Sequence, residues 1–223
     1  IVPTVQTVVE VNSAQWITLR GFTIEVCEGD AVRVLDSDDC LVAQNVVRNC
    51  GAAGIVVSGG HRSGARGNNV YACGRTGISI TGGDRKTLER GENFADNNYI
   101  HHCGVFVKTY HPGVSVNGVG NTVSHNLIHD TPHAGLLLGG NDNVVEYNIV
   151  HHCNLESADT GGIYFCSRDW TQRGNVIRHN IFHHCGGFGK TNSWAPVKNG
   201  KVEFAYPHFT WGIYLDDPTT GTL

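Results

Sequence analysis

The residue types that could do chemistry gather in the last third of the chain. Glu156-Ser157-Ala158-Asp159-Thr160-Gly161-Gly162-Ile163-Tyr164 is followed by Arg168-Asp169-Trp170-Thr171-Gln172-Arg173-Gly174, and then by Trp211-Gly212-Ile213-Tyr214-Leu215-Asp216-Asp217. Carboxylates beside aromatic faces suit a sugar, whose C–H faces lie on rings and whose hydroxyls bond to carboxylates. Two carboxylates flanking a glycosidic bond can divide the work of acid and of nucleophile or base. Aligning Gly162 with Gly212 stacks Tyr164 under Tyr214 with both rings facing outward, so that Asp159 enters the pair of strands and Asp216 leaves it. Any one of these aspartates alone could as readily cap a turn. Together with Trp170, Trp211, Arg168 and Arg173 they point to a site. Two other irregular stretches stand out: Gly82 to Arg90, a charged insertion, and Lys108 to Gly113, with His129 to His133 one coil later.

The elements that must position these residues repeat. Phe22-Thr23-Ile24-Glu25-Val26-Cys27 is followed by similar runs beginning at Asn45, Asn68, Asn98, Asn126, Asn148 and Asn180, most of them reading Asn-x-(Ile/Val/Phe)-x-x-Cys. The intervals between first residues are 23, 23, 30, 28, 22 and 32. A period of about 20–30 residues means a solenoid, with the longer intervals looping out on one side. Each unit carries a second run after a small residue, such as Gly135-Leu136-Leu137-Leu138, and a third, such as Asn143-Val144-Val145-Glu146-Tyr147. Three short strands per unit, with Ile, Val and Leu alternating inward, predict an all-β, right-handed parallel β-helix of about seven coils, one domain over residues 1–223.

Stacked coils place equivalent residues about 4.8 Å apart, so the repeat predicts ladders. Cys27, Cys50, Cys73, Cys103, Cys153 and Cys185 form one, with Thr131 in the gap. No Cys-x-x-Cys occurs, and ligands in a single row do not converge on an ion, so these are expected as small apolar packing residues whose redox state the sequence leaves open. His101, His129, His151 and His183 form a second column, with His102, His152 and His184 beside it. A column of imidazoles could chelate a transition metal, but repetition of a surface turn residue alone accounts for it and is the favoured reading, so no metal is expected. The asparagines are expected to bond backbone groups at the turns and their own equals above and below.

Composition bounds the rest. The 223 residues carry a formal net charge of -4, so no basic face is available for a nucleic acid. No apolar run approaches the length that crosses a bilayer, and membrane insertion is not expected. No organic cofactor is called for. The chain has no Met and stops after one strand of its last coil, which reads as a piece of a longer protein whose open solenoid end could join a larger assembly.

Several runs carry a resemblance to a known family. Gly82-Gly83-Asp84-Arg85-Lys86-Thr87-Leu88, Thr109-Tyr110-His111-Pro112-Gly113-Val114, His125 to His133, Asp159-Thr160-Gly161-Gly162-Ile163-Tyr164, Arg168 to Asn175 and Gly212 to Asp217 resemble the β-helix proteins of glycoside hydrolase family 141, which includes α-L-fucosidases and xylanases. The resemblance covers about Ala31 to Gly221. It implies an extracellular or periplasmic hydrolase of polysaccharide or oligosaccharide with two essential aspartates: Asp159, and Asp216 or Asp217. Alternation favours Asp216, on the Tyr214 side of its strand. Asp217, Asp169, Trp170, Arg173, Tyr164, Tyr214, His133 and Tyr110 would line the site. Lys108 stands where the family often has Arg, and an insertion from Lys190 to His208 separates the acidic motifs.

Two other readings remain open. A polysaccharide lyase or epimerase would use Lys108, Tyr110, His111 or Arg173 to take the proton beside a uronate carboxylate. A non-catalytic structural or glycan-binding module would keep the motifs without the activity.

Overall fold

A computed structural model describes residues 3–166, 168–191, 201–217 and 219–223. Its described residues contain no α-helix, and hence no helix long and apolar enough to cross a membrane. Every coil runs through three short strands, one in each of three parallel sheets. The first sheet runs from Val9–Asn12 to Thr210–Asp216 through eight stacked strands. The second holds seven, from Thr18–Arg20 to Val176–Arg178, and the third seven, from Thr23–Cys27 to Ile181–His183. Seven complete coils and one further strand result, as the period predicts.

Alternation decides which residues point in. In the first sheet Val32, Ile55, Ile78, Val114, Leu136 and Ile163 stack in register, all buried. The second sheet contributes Leu19, Val42, Ala65, Ala95, Val123, Val145 and Ile177, and the third Ile24, Val47, Val70, Ile100, Ile128, Val150 and Phe182. Burying each Val, Ile or Leu side chain contributes about 1.5–3 kcal/mol. β-Branched residues suit such a pleated surface.

The cysteine column is buried from Cys27 to Cys153, Cys185 is half-buried, and all are free thiols. Thr131 completes the column by donating to the His133 carbonyl at 2.8 Å. The sulfurs lie against the glycines that open the first-sheet strands: a Cβ on Gly135 would come within 2.7 Å of the Cys153 sulfur. The asparagine column is continuous, with Asn45, Asn68, Asn98, Asn126 and Asn148 each donating its amide to the next carboxamide at 2.9–3.1 Å. A second asparagine column, Asn93, Asn121, Asn143 and Asn175, holds the corner before the second sheet by accepting from backbone N–H groups. The histidines divide in two. His101, His129, His151 and His183 end third-sheet strands rather than sitting in the turn, whereas His102, His152 and His184 occupy the turn in the left-handed conformation.

The two insertions form local hairpins. Strand Ile78–Asp84 overruns its coil, and its end pairs antiparallel with Glu89–Arg90. Gly189–Lys190 pairs antiparallel with Phe204–Ala205. Residues 192–200 of that second insertion lie outside the described residues.

Candidate active site

Strands Thr160–Cys166 and Thr210–Asp216 are the last two of the first sheet and, at seven residues, outlast most others. They pair in register, Tyr164 on Tyr214 and Cys166 on Asp216. Ile163 and Phe165 turn into the core at 0% exposure, which commits the alternate residues to the outer face. Gly162 permits this approach: a Cβ there would meet the Gly212 carbonyl oxygen at 2.8 Å and the Cys185 sulfur at 3.2 Å.

The tyrosine rings lie 5.4 Å apart between centroids. Tyr164 faces outward as predicted, but its neighbours cover it, leaving it 4% exposed. Its hydroxyl donates to Asp216 Oδ2 at 2.9 Å, and the Tyr214 hydroxyl donates to Asp159 Oδ1 at 3.2 Å. The stacked pair therefore grips one carboxylate from each end of the strand pair. Burial, with the bonds to Cys166 and Asp216, pushes the Tyr164 phenol far up, and Tyr214 is raised by the same kinds of cause. Both stay protonated as donors.

Asp159 reaches its place through a left-handed residue (φ 58°), a conformation Asp tolerates, with its N–H donating to the Phe209 carbonyl at 2.7 Å. Asp216 and Asp217 separate by parity. Asp216 lies on the tyrosine side, and Asp217 accepts from Arg168 at 3.0 Å. Among the described residues neither Asp159 nor Asp216 has a cation within 4.0 Å. Each carboxylate is oriented by a phenol hydroxyl.

Below the tyrosines the outer face hollows into a groove of about 230 Å³ lined by Tyr110, Leu137, Tyr164, Cys166 and Gln172, among others. Tyr110 stands 61% exposed at its rim, with its ring 5.1 Å from His133 and 6.2 Å from Tyr164. His133 is buried with Nδ1 unbonded, and burial pushes its imidazole down to about 4. It is neutral near pH 7.

The remaining predicted residues sit less centrally. Trp170 projects into solvent at 75% exposure, and Arg173 lies 4.0 Å from Asp142. Asp169 is engaged: it accepts from Thr171 N–H at 2.9 Å and Thr171 hydroxyl at 2.7 Å, and pairs with Arg85 at 2.7 Å. Those bonds hold its carboxyl down to about 2. Arg85 also donates to Asn141 at 2.7 Å, so the first insertion clamps the 168–174 loop against the groove. Of the alternative bases, Lys108 pairs with Glu156 at 2.9 Å and His111 lies 3.2 Å from the Thr76 hydroxyl, both outside the groove lining.

Leu137, Cys166, Gln172 and Arg85 were not singled out in the sequence. Leu137 and Cys166 could have been, since both fall at outward parity on their strands. Gln172 is buried with Oε1 unbonded, a property that depends on packing from other coils.

The family model for a right handed beta helix region matches residues 7–91 and 66–191. Among curated proteins nothing matches. Among solved structures, the A-module of the mannuronan C-5 epimerase AlgE4 of Azotobacter vinelandii is similar at 15% identity and a TM-score of 0.45. The match covers 76% of this chain and 60% of that one.

Proposed function

The chain belongs to the right handed beta helix family, and on that scaffold we propose a carbohydrate-active protein, a glycoside hydrolase acting on polysaccharide outside the cytoplasm with Asp159 and Asp216 as its carboxylate pair. One observation carries the reading: two aspartates from distant motifs, each without a cation within 4.0 Å among the described residues, are held by the hydroxyls of one register-paired tyrosine couple. One carboxyl would protonate the leaving oxygen, and the other would act as nucleophile or base. Tyr214 and exposed Trp170 offer ring faces for sugar C–H groups. The resemblance to glycoside hydrolase family 141 nominates fucosylated glycans and xylans as first substrates. Reducing ends released from a panel of such polysaccharides should fall by about 10²–10⁴-fold in Asp159→Asn and in Asp216→Asn. Full activity in either variant would end the assignment.

A uronate lyase or epimerase is the second reading, favoured by His133, a buried neutral imidazole packed against the rings of Tyr110 and Tyr164, which themselves line the groove. A base of that kind could take the proton α to a carboxylate. Unsaturated products absorbing in the near ultraviolet, or epimerised product, lost in His133→Gln and retained in Asp159→Asn, would favour it over hydrolysis.

A further inference from the structure

Two columns of side chains run down the corner where each coil leaves the third sheet. Register aligns Tyr71, His101, His129, His151 and His183 in the first, with rings within 13° of parallel and centroids 4.7–5.2 Å apart. The second contains His102, Asp130, His152 and His184, all left-handed. His152 and His184 stack at 4.9 Å.

Stacking accounts for the columns but not for the approach between them. Within a coil the Nδ1 atoms lie 2.8 Å apart in His101–His102, 2.7 Å in His151–His152 and 2.7 Å in His183–His184, with ring planes near perpendicular. Two neutral imidazoles that close must hold a single proton between them, one ring donating and the other accepting. The same pair of lone-pair directions suits a metal ion. Imidazole nitrogens lie about 2.0–2.1 Å from Zn²⁺, so neighbouring donors on one ion are about 2.9–3.4 Å apart, a slight opening of this bite.

The three pairs are not equivalent. The His101 pair is separated from the others by His129, whose Nδ1 faces Asp130 at 2.8 Å and whose Nε2 faces the Tyr99 hydroxyl at 3.0 Å. The other two pairs occupy adjoining coils. Ligand atoms of His151, His152 and His183 all lie within 4.8 Å of one another, on residues open to solvent. A single row of ligands cannot surround an ion, but two rows side by side on two coils can.

We propose that the His151–His152 and His183–His184 pairs form a binding site for a divalent transition metal ion of the Zn²⁺, Ni²⁺ or Cu²⁺ class, bridging the last two strands of the third sheet. An all-imidazole donor set suits these ions, whereas Ca²⁺ and Mg²⁺ require oxygen ligands. The rigid sheet fixes both rows before the ion arrives, so little ordering opposes binding.

Calorimetric titration of the untagged full chain with Zn²⁺ tests this. The expected result is saturable binding near one ion per chain, weakened at least about tenfold in His152→Asn and in His183→Asn, and unchanged in His102→Asn. Asn tolerates the left-handed turn at 152 and 102, and far-ultraviolet circular dichroism checks that each variant keeps its sheets. Cu²⁺ loaded at the site should show nitrogen hyperfine splitting in electron paramagnetic resonance, lost with the same variants. No saturable binding by the wild-type chain would overturn the proposal, as would binding unaffected by both His152→Asn and His183→Asn, or lost equally in His102→Asn.

Discussion

The corner before the third sheet and the outer face over the last coils of the first are built from the same repeat, yet they treat buried polar groups in opposite ways. At the corner, Asn98 Oδ1 accepts from the N–H and the amide of Asn68, while its own amide donates to the Ala65 carbonyl and to Asn126. Each asparagine satisfies the one before it and is satisfied by the one after. At the groove Gln172 Oε1, and in the neighbouring packing His133 Nδ1 and Thr160 Oγ1, are buried without a partner among the described residues. A repeat can supply partners only to residues that recur, so a side chain present in one coil alone must find its partner in a ligand, in water or not at all.

Breaking the corner should produce the largest change in stability. Asn98→Ala strips partners from the Asn68 N–H and the Ala65 carbonyl, both in the interior, and interrupts the column at mid-length. Each unmet group costs about 1–3 kcal/mol, so a loss of about 3–4 kcal/mol in denaturant titration is expected. Asp216→Asn should leave stability within about 0.5 kcal/mol of wild type while removing activity. If Asn98→Ala were tolerated as easily as Asp216→Asn, the contrast between the two regions would collapse.

The groove side has its own signature in pH. His133 titrates near 4 in the folded chain, against about 6.5 unfolded. Between those values the unfolded state binds more protons, so stability falls as pH drops from about 6.5 to 4 and the loss is complete below 4. The difference amounts to roughly 3–3.5 kcal/mol at most. His133→Gln should flatten the dependence of unfolding free energy on pH across that window. An unchanged slope would mean that the ring is reached by solvent.

A smaller effect tests why the opposite corner, after the third sheet, holds cysteine. Gly135→Ala would drive a methyl against Val150 and the Cys153 sulfur at 2.5 and 2.7 Å, overpacking worth about 1–3 kcal/mol. Removing the sulfur with Cys153→Ala in the same chain should restore part of that loss in a double-mutant cycle. Additive losses would show that the sulfur is not what fills the space.

The coil boundaries, the inward columns and the Tyr164–Tyr214 stack were legible in the sequence because each depends on spacing alone. Asp216 and Asp217 were not divided by the sequence: alternation favoured Asp216, but the bonds of Asp216 to Tyr164 and of Asp217 to Arg168 come from the packing. The cover over Tyr164 was not legible: Tyr110 reaches it from a loop that no period governs. Nor was the strand position of the first histidine column, because a run of His-His-Cys does not say where the last ladder bond falls. Arg85 and Asp169 lie 84 positions apart in the sequence, and only the number of coils between them places one beside the other.

That last pair gives the smallest effect and the finest test of the groove wall. Asp169 is solvent-accessible, and its carboxyl, bonded by Thr171 and Arg85, is held down to about 2. A depressed folded value means the bonds stabilise the chain above the unfolded value of about 3.9 and lose that contribution as pH falls through about 2. Wild type should thus melt slightly above Asp169→Asn at pH 5, and the gap should close toward pH 2. Arg85→Ala should lower the wild-type melting temperature in the same direction at pH 5 and lower that of Asp169→Asn by less, since the ion pair is already gone there and only the bonds of Arg85 to Asn141 and Thr171 remain to be lost. Because the clamp anchors the loop carrying Trp170 and Gln172 rather than the aspartate pair, Arg85→Ala should raise KM for a polysaccharide more than it lowers kcat. A fall in kcat with KM unchanged would move Arg85 from the wall of the groove into its chemistry.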